Sequence, residues 1–500
     1  MNRRTALQIG AMAPLAILNL SQTSDAQWGL PGNAQTGKPM GTGGFGTPTP
    51  IAIDNPSIVW RESKCQMCDH CQKSCGALQT VRGFYDIKVT KKPICIHCGQ
   101  CTNLCKSGAM TERYVYPGLG RAIKADGVTS AISVAPAVRV SLGELFGYPA
   151  GTNVEGKTVA ALKELGFDYV FDTTFGADLT VVEEAKEFIK RLESNEKRRF
   201  PMFTSCCPGW VTFAEYWFPE FLPYLSTSKS PMLMQGALIK SMFAKEMKLD
   251  PAKIVSALVA PCTAKKYEIT RPEMNAAGKL AGVGAVRDMD WAITVRELGR
   301  WIDESGIDFE DLEPVPFDSV MSHETDAGLI FGATGGVMEA TLRTAYWYVN
   351  DNPAPPQLQE FTAIRGMDGV KEAEVDLGKA GKIKVAAVHG GANARALLTK
   401  IRDGEVQYDF VEVMICPGGC IGGGGQPVVK GREAFQAVRQ ARIKGLYGMI
   451  RGDKPRLAHE NPDVQRTYAE FLCKGGVDLS EKLLHTSAYV DRSGELEGQI

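Results

Sequence analysis

The residues best suited to chemistry are cysteines, fourteen in all, of which eight fall in two runs. The runs are Cys65-x-x-Cys68-x-x-Cys71-x-x-x-Cys75 and Cys95-x-x-Cys98-x-x-Cys101-x-x-x-Cys105. Cysteines clustered at metal-ligand spacing point to thiolate ligation rather than disulfides. The repeated spacing is that of chains holding two 4Fe-4S clusters, in which the fourth cysteine of each run ligates the other cluster. Cys65, Cys68, Cys71 and Cys105 are therefore assigned to one cluster, and Cys95, Cys98, Cys101 and Cys75 to the second. Structural zinc takes four ligands per site as two close pairs, and a triplet-plus-one run fits that badly. Gly76 and Lys106 stand where proline often follows the fourth cysteine, which affects loop stiffness rather than ligation. His70 and His97, inside the runs, are expected to face solvent or to hydrogen-bond sulfur.

Three further thiol sites lie downstream. Cys416-Pro417-Gly418-Gly419-Cys420 leads into Gly422-Gly423-Gly424-Gly425-Gln426-Pro427, and glycines there let backbone approach a bulky group without side-chain clash. The others are Thr204-Ser205-Cys206-Cys207-Pro208-Gly209-Trp210 and Ala260-Pro261-Cys262-Thr263-Ala264-Lys265-Lys266. Successive side chains of an extended segment diverge, so one of Cys206 and Cys207 can ligate while its neighbour does something else. All three sites are expected to converge on one metal centre.

The elements that must position them follow from apolar patterning. Strands are expected at 201–203, 254–259 and 408–414, each delivering a thiol at its carboxyl end, where open α/β sheets bind their ligands. A buried strand is expected over 131–140 followed by 142–146, an amphipathic helix over 157–165, a strand over 167–171 and a helix over 179–193. By composition the acid row Glu183, Glu184 and Glu187 on that last helix is a solvated face. Residues 331–340 read as strand, glycine turn and helix. They lack the spacing of a nucleotide cradle, so close backbone packing against the centre is expected instead. His389, after a strand over 384–388, is expected to be packed or capping, and Cys473 to be a buried small hydrophobe.

Length implies two lobes with smaller attached modules, since 500 residues exceed what one core usually organises. A net charge of -1 gives no reason to expect a nucleic-acid partner. Arg3-Arg4 precede a short apolar run over 9–20 and then Ser24-Asp25-Ala26, the layout of a secretory signal with the twin-arginine cue. The run is too short to span a bilayer, which takes about 20 apolar residues, and no other segment reads as a membrane span. An apolar tail on a cytoplasmic protein is the competing reading. The expected organisation is a signal over 1–26, a Gly/Pro-rich linker over 27–56, a two-cluster module over 57–115, a catalytic domain over 116–430 and a C-terminal segment over 431–500.

The module over 57–115 resembles bacterial two-cluster ferredoxins. The three downstream cysteine motifs, with Met414 before Cys416, resemble the signature motifs of iron-only (FeFe) hydrogenases. His459-Glu460-Asn461-Pro462 and Leu484-His485-Thr486 resemble the small subunit of periplasmic two-subunit members, here fused to the catalytic chain. The fold that follows is an α/β two-lobed H-cluster domain with a ferredoxin module before it and a helical small-subunit-like wrap after it. The resemblance implies an H-cluster, a 4Fe-4S cubane joined to a diiron unit carrying CO, cyanide and an azadithiolate. The cubane ligands would be Cys207, Cys262, Cys416 and Cys420, with Cys420 bridging to the diiron unit. Cys206 would pass protons, Lys265 would sit against a cyanide, and the proton path would continue through Glu184, Ser226 and Glu187. Ala260 departs from the methionine usual in the family. Reversible H2 oxidation and proton reduction is the implied activity, with maturation proteins supplying the diiron unit. The external electron carrier would be a periplasmic cytochrome c after twin-arginine export, with H2 uptake, or a ferredoxin if the chain is cytoplasmic. A hydrogen sensor and an iron-sulfur assembly relative are the rival classes.

Overall fold

Two four-stranded sheets carry the cysteine loops. The computed structural model describes residues 50–194, 201–429, 431–450, 452 and 454–498. The expected signal over 1–26, and the linker as far as residue 49, lie outside the described residues.

A short antiparallel pair, β1 (Ile58–Trp60) and β2 (Met110–Glu112), closes the N-terminal module around the helix His70–Gln79. The first large sheet is wholly parallel, in the order β4-β3-β6-β7 for β3 (Thr129–Val134), β4 (Tyr169–Asp172), β6 (Ile254–Ala260) and β7 (Trp291–Thr294). The second runs β5-β10-β9-β8 for β5 (Met202–Phe203), β8 (Val370–Asp376), β9 (Lys382–His389) and β10 (Phe410–Met414). Only β8 in it is antiparallel to its neighbour. Near-continuous burial of β3, β6 and β10, mostly apolar in β6 and β10, is what a parallel sheet covered on both faces requires.

The expected strand over 131–140 ends at Val134; beyond it Pro136, which cannot donate a ladder hydrogen bond, opens a 3₁₀ turn at Pro136–Val138. Residues 142–146 are likewise 3₁₀, and the expected strand before Gly332 is a helical turn, Asp326–Leu329, running into Ile330–Gly332. The helix expected from 179 begins earlier, at Thr174, directly after β4, and runs to Glu193. It lies between the lobes, and Phe175, Leu179 and Val182 belong to the same core as Met234, Val337 and Val464. Arg139, fully buried, holds this end of the first lobe through Asp172 at 2.5 Å, Glu155 at 2.6 Å and Glu324 at 3.0 Å.

After the helix Arg432–Tyr447 the C-terminal segment continues as short turns and then as an extended strap. Asn461 donates to Asp178 at 2.8 Å, the amide of Thr486 donates to Thr227 O at 2.7 Å, and Arg492 reaches Glu215 at 3.1 Å. The strap ends against the N-terminal module, where Glu495 pairs with Lys92 at 3.4 Å. Cys473 is exposed, contrary to expectation, because it lies past the end of the π turn Tyr468–Leu472 and its side chain has left the core. No helix among the described residues is long and apolar enough to cross a membrane.

Candidate metal centre

β5, β6 and β10 each end on a cysteine loop, and these loops meet between the two sheets. Cys207 caps the helix Pro208–Trp217, whose Trp210 indole donates to Thr204 O at 2.9 Å and fixes the preceding turn. The Gly425 amide donates to Pro261 O at 2.8 Å, joining the third loop to the second. Lys265 donates to Cys206 O at 3.2 Å, joining the second to the first.

Cys207, Cys262, Cys416 and Cys420 crowd one another. Burial, followed by the field of Cys207, pushes the Cys262 thiol up to about 12. Cys416 and Cys420 are raised by burial and then by Cys262, with Cys207 also acting on both. Thiols in that state bind iron by releasing protons. Four thiols from three loops, with Cys262, Cys416 and Cys420 each raised by burial and then by the nearness of the others, make the all-cysteine donor set that a 4Fe-4S cubane takes.

The N-terminal cysteines group in the crossed sense. A cavity of about 270 Å³ is lined by Cys65, Cys68, Cys71 and Cys105 together with Trp60 and Met67. Cys75 is raised by burial and then by Cys95, and Cys98 by burial and then by Cys101 and Cys75. His70 is exposed. His97 is buried, stacks on Tyr267 at 4.1 Å and gives its backbone amide to Cys95 Sγ at 3.2 Å. Burial, reinforced by Arg492, lowers its ring to about 3, so it is neutral.

This module sits directly on the centre. Thr263 donates to His97 O at 2.6 Å and Gln100 donates to Gly422 O at 2.8 Å. A Cβ on Gly424 would lie 2.2 Å from Cys98 O, and one on Gly99, at φ +71°, would lie 2.4 Å from Thr263 Oγ1. The glycine run thus answers to protein against protein: a Cβ on Gly423 would meet Pro261 O at 2.2 Å. Arg296, which sequence reasoning missed, ties Glu112, Asn103 and Gly424 O together at 2.6 to 3.0 Å. The turn at Gly335 is bound to the third loop through Glu412, which accepts from Gly335 N at 2.6 Å and Met338 N at 2.9 Å. His389 is buried and bonds Met367 O at 3.2 Å. Ala260 is enclosed with Met232, Leu233, Met274 and Met289.

Behind Cys206 lies the acid row, of which Glu183 and Glu184 are buried and Glu187 is half-buried: Glu184 is wholly enclosed, because its helix sits between the lobes. Burial, with the Glu187 carboxylate adding to it, pushes Glu184 up to about 8; the Ser226 hydroxyl and Ser205 amide lie near enough to oppose this but make no well-formed hydrogen bond to it. Ser226 donates to Glu187 at 3.1 Å, and Arg191 closes over Glu187 from the next turn. Lys265 keeps its charge although burial opposes it, because Glu268 pairs with it at 2.7 Å. Sequence reasoning also missed Thr227 and His485; the only available signal was the small-subunit-like Leu484-His485-Thr486.

Comparison with known proteins places these loops in context. Residues 129–424 match the model "Iron only hydrogenase large subunit, C-terminal domain", and residues 436–492 match "Iron hydrogenase small subunit". The chain is 41% identical to the NADP-reducing hydrogenase subunit HndD of Solidesulfovibrio fructosivorans, over 86% of this chain and 74% of that one. It is 45% identical to the periplasmic Fe hydrogenase large subunit of Nitratidesulfovibrio vulgaris, over 67% and 76%. It is also 32% identical to cytosolic iron-sulfur assembly component 3 of Rattus norvegicus, over 78% and 82%. A solved FeFe-hydrogenase from Chlamydomonas reinhardtii superposes with a TM-score of 0.65 at 35% identity, covering 76% of this chain and 99% of that one.

Proposed function

The chain belongs to the iron-only hydrogenase family, with a large-subunit catalytic domain and a small-subunit domain in one polypeptide, and from that premise we propose that it catalyses reversible H2 oxidation and proton reduction. The observation carrying this reading is the meeting of five cysteines between two sheets, with the largely enclosed Lys265 beside them and the buried acid Glu184 behind Cys206. Cys207, Cys262, Cys416 and Cys420 would hold the cubane of the H-cluster, Cys420 bridging to the diiron unit and Lys265 making a charge-assisted contact to a cyanide. When bound, that cofactor interconverts H2 with two protons and two electrons.

The chain's own part is positioning and proton traffic. Cys206 presents a thiol on the side away from Cys207. Glu184, raised to about 8, holds a proton near neutral pH. Ser226 and Glu187 continue the path outward. Electrons would leave through the cluster of Cys95, Cys98, Cys101 and Cys75, then through that of Cys65, Cys68, Cys71 and Cys105. The contact of Cys98 O with Gly424 supports that order. Cys68 and Met67, both exposed, would face the external carrier.

The finer assignment is H2 uptake in the periplasm after twin-arginine export, with a cytochrome c as partner, supported by Arg3-Arg4 and by likeness to a periplasmic large subunit. The domain limits proposed are 57–115, 116–430 and 431–500.

Loading the protein with its diiron unit and assaying H2 uptake and evolution tests the activity. Turnover accompanied by infrared CO and cyanide bands is expected. Bands without turnover would turn the assignment to a sensor, and failure to take up the unit would turn it to the assembly relatives.

A further inference from the structure

Beyond Glu187 the hydrogen bonds do not stop. Glu187 Oε2 accepts from the Thr227 amide at 2.9 Å and lies 3.1 Å from Thr227 Oγ1. Thr227 Oγ1 lies 2.8 Å from His485 Nδ1, and His485 Nε2 lies 2.7 Å from Glu183 Oε2. Glu183 is held in turn by Lys186 at 2.9 Å and by the Tyr468 hydroxyl, which the π turn Tyr468–Leu472 presents to it. His485 cannot swing away, because the strap pairs with the path's own loop: Ser228 and His485 form a β-bridge, and Lys229 N donates to Leu484 O at 2.8 Å.

We propose that His485 of the small-subunit-like segment is the outer station of the proton path, exchanging protons with Glu187 through Thr227. This rests on the proton-path reading given above. For outward transfer, a proton on Glu187 passes to Thr227 Oγ1 as the Thr227 hydroxyl proton passes to Nδ1. Glu187 loses one proton, the imidazole gains one and the hydroxyl is restored. The imidazolium then loses a proton from Nε2 across Glu183 to solvent; Glu183's partners Lys186 and Tyr468 line a cavity of about 400 Å³ together with Tyr348 and Cys473. The ring returns to the tautomer with free Nδ1 before the next transfer, and inward transfer reverses each step.

The electrostatics suit that task. Burial disfavours the imidazolium, but the Glu183 hydrogen bond and charge outweigh it and raise His485 above its ordinary value. Glu481, from the turn before it, and Glu187 act in the same sense. Lys186, Lys229 and Arg191 are cations on this chain of contacts; Lys229 is paired with Asp288 at 2.9 Å and Arg191 with Glu187. Burial raises Glu183, but His485 and Lys186 outweigh it and bring it down to about 2, so it stays a carboxylate that orients the ring. His485 keeps 9% of its side-chain surface exposed.

Two measurements decide the matter. In histidine-labelled protein without the diiron unit, nitrogen NMR of the six histidines should show one, absent from His485→Gln, that titrates above the ordinary value of about 6.5. Glu183→Gln should lower it, and Glu187→Gln should shift it. In loaded protein, wild-type H2 uptake should rise with pH through that same value and H2 evolution should fall. His485→Gln should keep the infrared bands, lose that inflection and turn over about tenfold more slowly; Thr227→Val should behave alike. A wild type that works while His485→Gln matches it at every pH overturns this proposal alone. A His485 signal indifferent to Glu187→Gln overturns it as well. A loaded wild type without turnover overturns the functional reading and this proposal together.

Discussion

The Lys265 ammonium stands 3.2 Å from the Cys206 carbonyl and 2.7 Å from a Glu268 oxygen, so one largely enclosed charge ties the second cysteine motif to the first. Lys265→Met removes that charge and leaves Glu268, itself nearly enclosed, without its partner. Breaking a buried pair from one side costs about 3–5 kcal/mol. The double variant Lys265→Met with Glu268→Gln should recover most of the thermal midpoint. It should still fail to retain the diiron unit, seen as missing CO and cyanide bands in protein with normal cubane iron and sulfide. Retained bands in the double variant would remove Lys265 from the cofactor's anchors.

Cys206 is buried beside Cys207, Cys207 being proposed as the ligand and Cys206 as the proton carrier. Cys206→Ala should therefore leave iron content and infrared bands unchanged while slowing turnover by about 100-fold or more, the usual scale for a lost proton-transfer group. Loss of iron instead would make Cys206 a ligand.

Glu184 gives a pH signature independent of turnover. Its carboxyl is raised from 4.5 to about 8 by burial and then by Glu187. The folded state thus keeps a proton that the unfolded chain releases, and this contribution to stability is complete below pH 4.5 and lost as pH rises to about 8. Glu184→Gln abolishes the loss, worth on the order of 5 kcal/mol. The variant's thermal midpoint relative to wild type should climb between pH 5 and pH 8 and then level off. Glu183 has the opposite sign: its contribution is present above 4.5 and lost as pH falls through about 2, outside that window. A difference in midpoint independent of pH would mean that Glu184 is ionised in the folded protein.

What was legible in the sequence was whatever one local segment decides. The strands that lead to Cys207, Cys262 and Cys416 announce themselves by apolar runs, and the spacing of the two runs already pairs Cys75 with the second of them, beside whose Cys95 it lies in the structure. Where a side chain on one element meets another far along the chain, local pattern is silent. The acid row has the composition of a wet helix face, and only the placement of Thr174–Glu193 between two lobes makes it dry. His485 lies 258 residues from Thr227, and no spacing rule spans that. Cys473 is small and apolar enough for a core, yet a single π turn puts it outside. The glycines from Gly422 to Gly425 were legible as close approach, but what approaches them includes the N-terminal module and the second motif.

That last contact makes Gly424 the test of how the two modules are wired. A Cβ there would lie 2.2 Å from Cys98 O and 2.5 Å from Gly99 Cα, both backbone atoms that cannot rotate aside. Gly424→Ala must therefore push the loop of Cys95–Cys101 away from the Cys416 loop, straining the Gln100 to Gly422 and Arg296 to Gly424 hydrogen bonds. Overpacking of this kind costs about 1–3 kcal/mol. The larger effect should fall on electron flow. Turnover with an external carrier should drop several-fold, whereas H2/D2 isotope exchange, which needs no electrons to leave the centre, should stay near wild type. If both fall together, the glycine serves only to fold the centre, and the close approach of Cys98 is not the electron route.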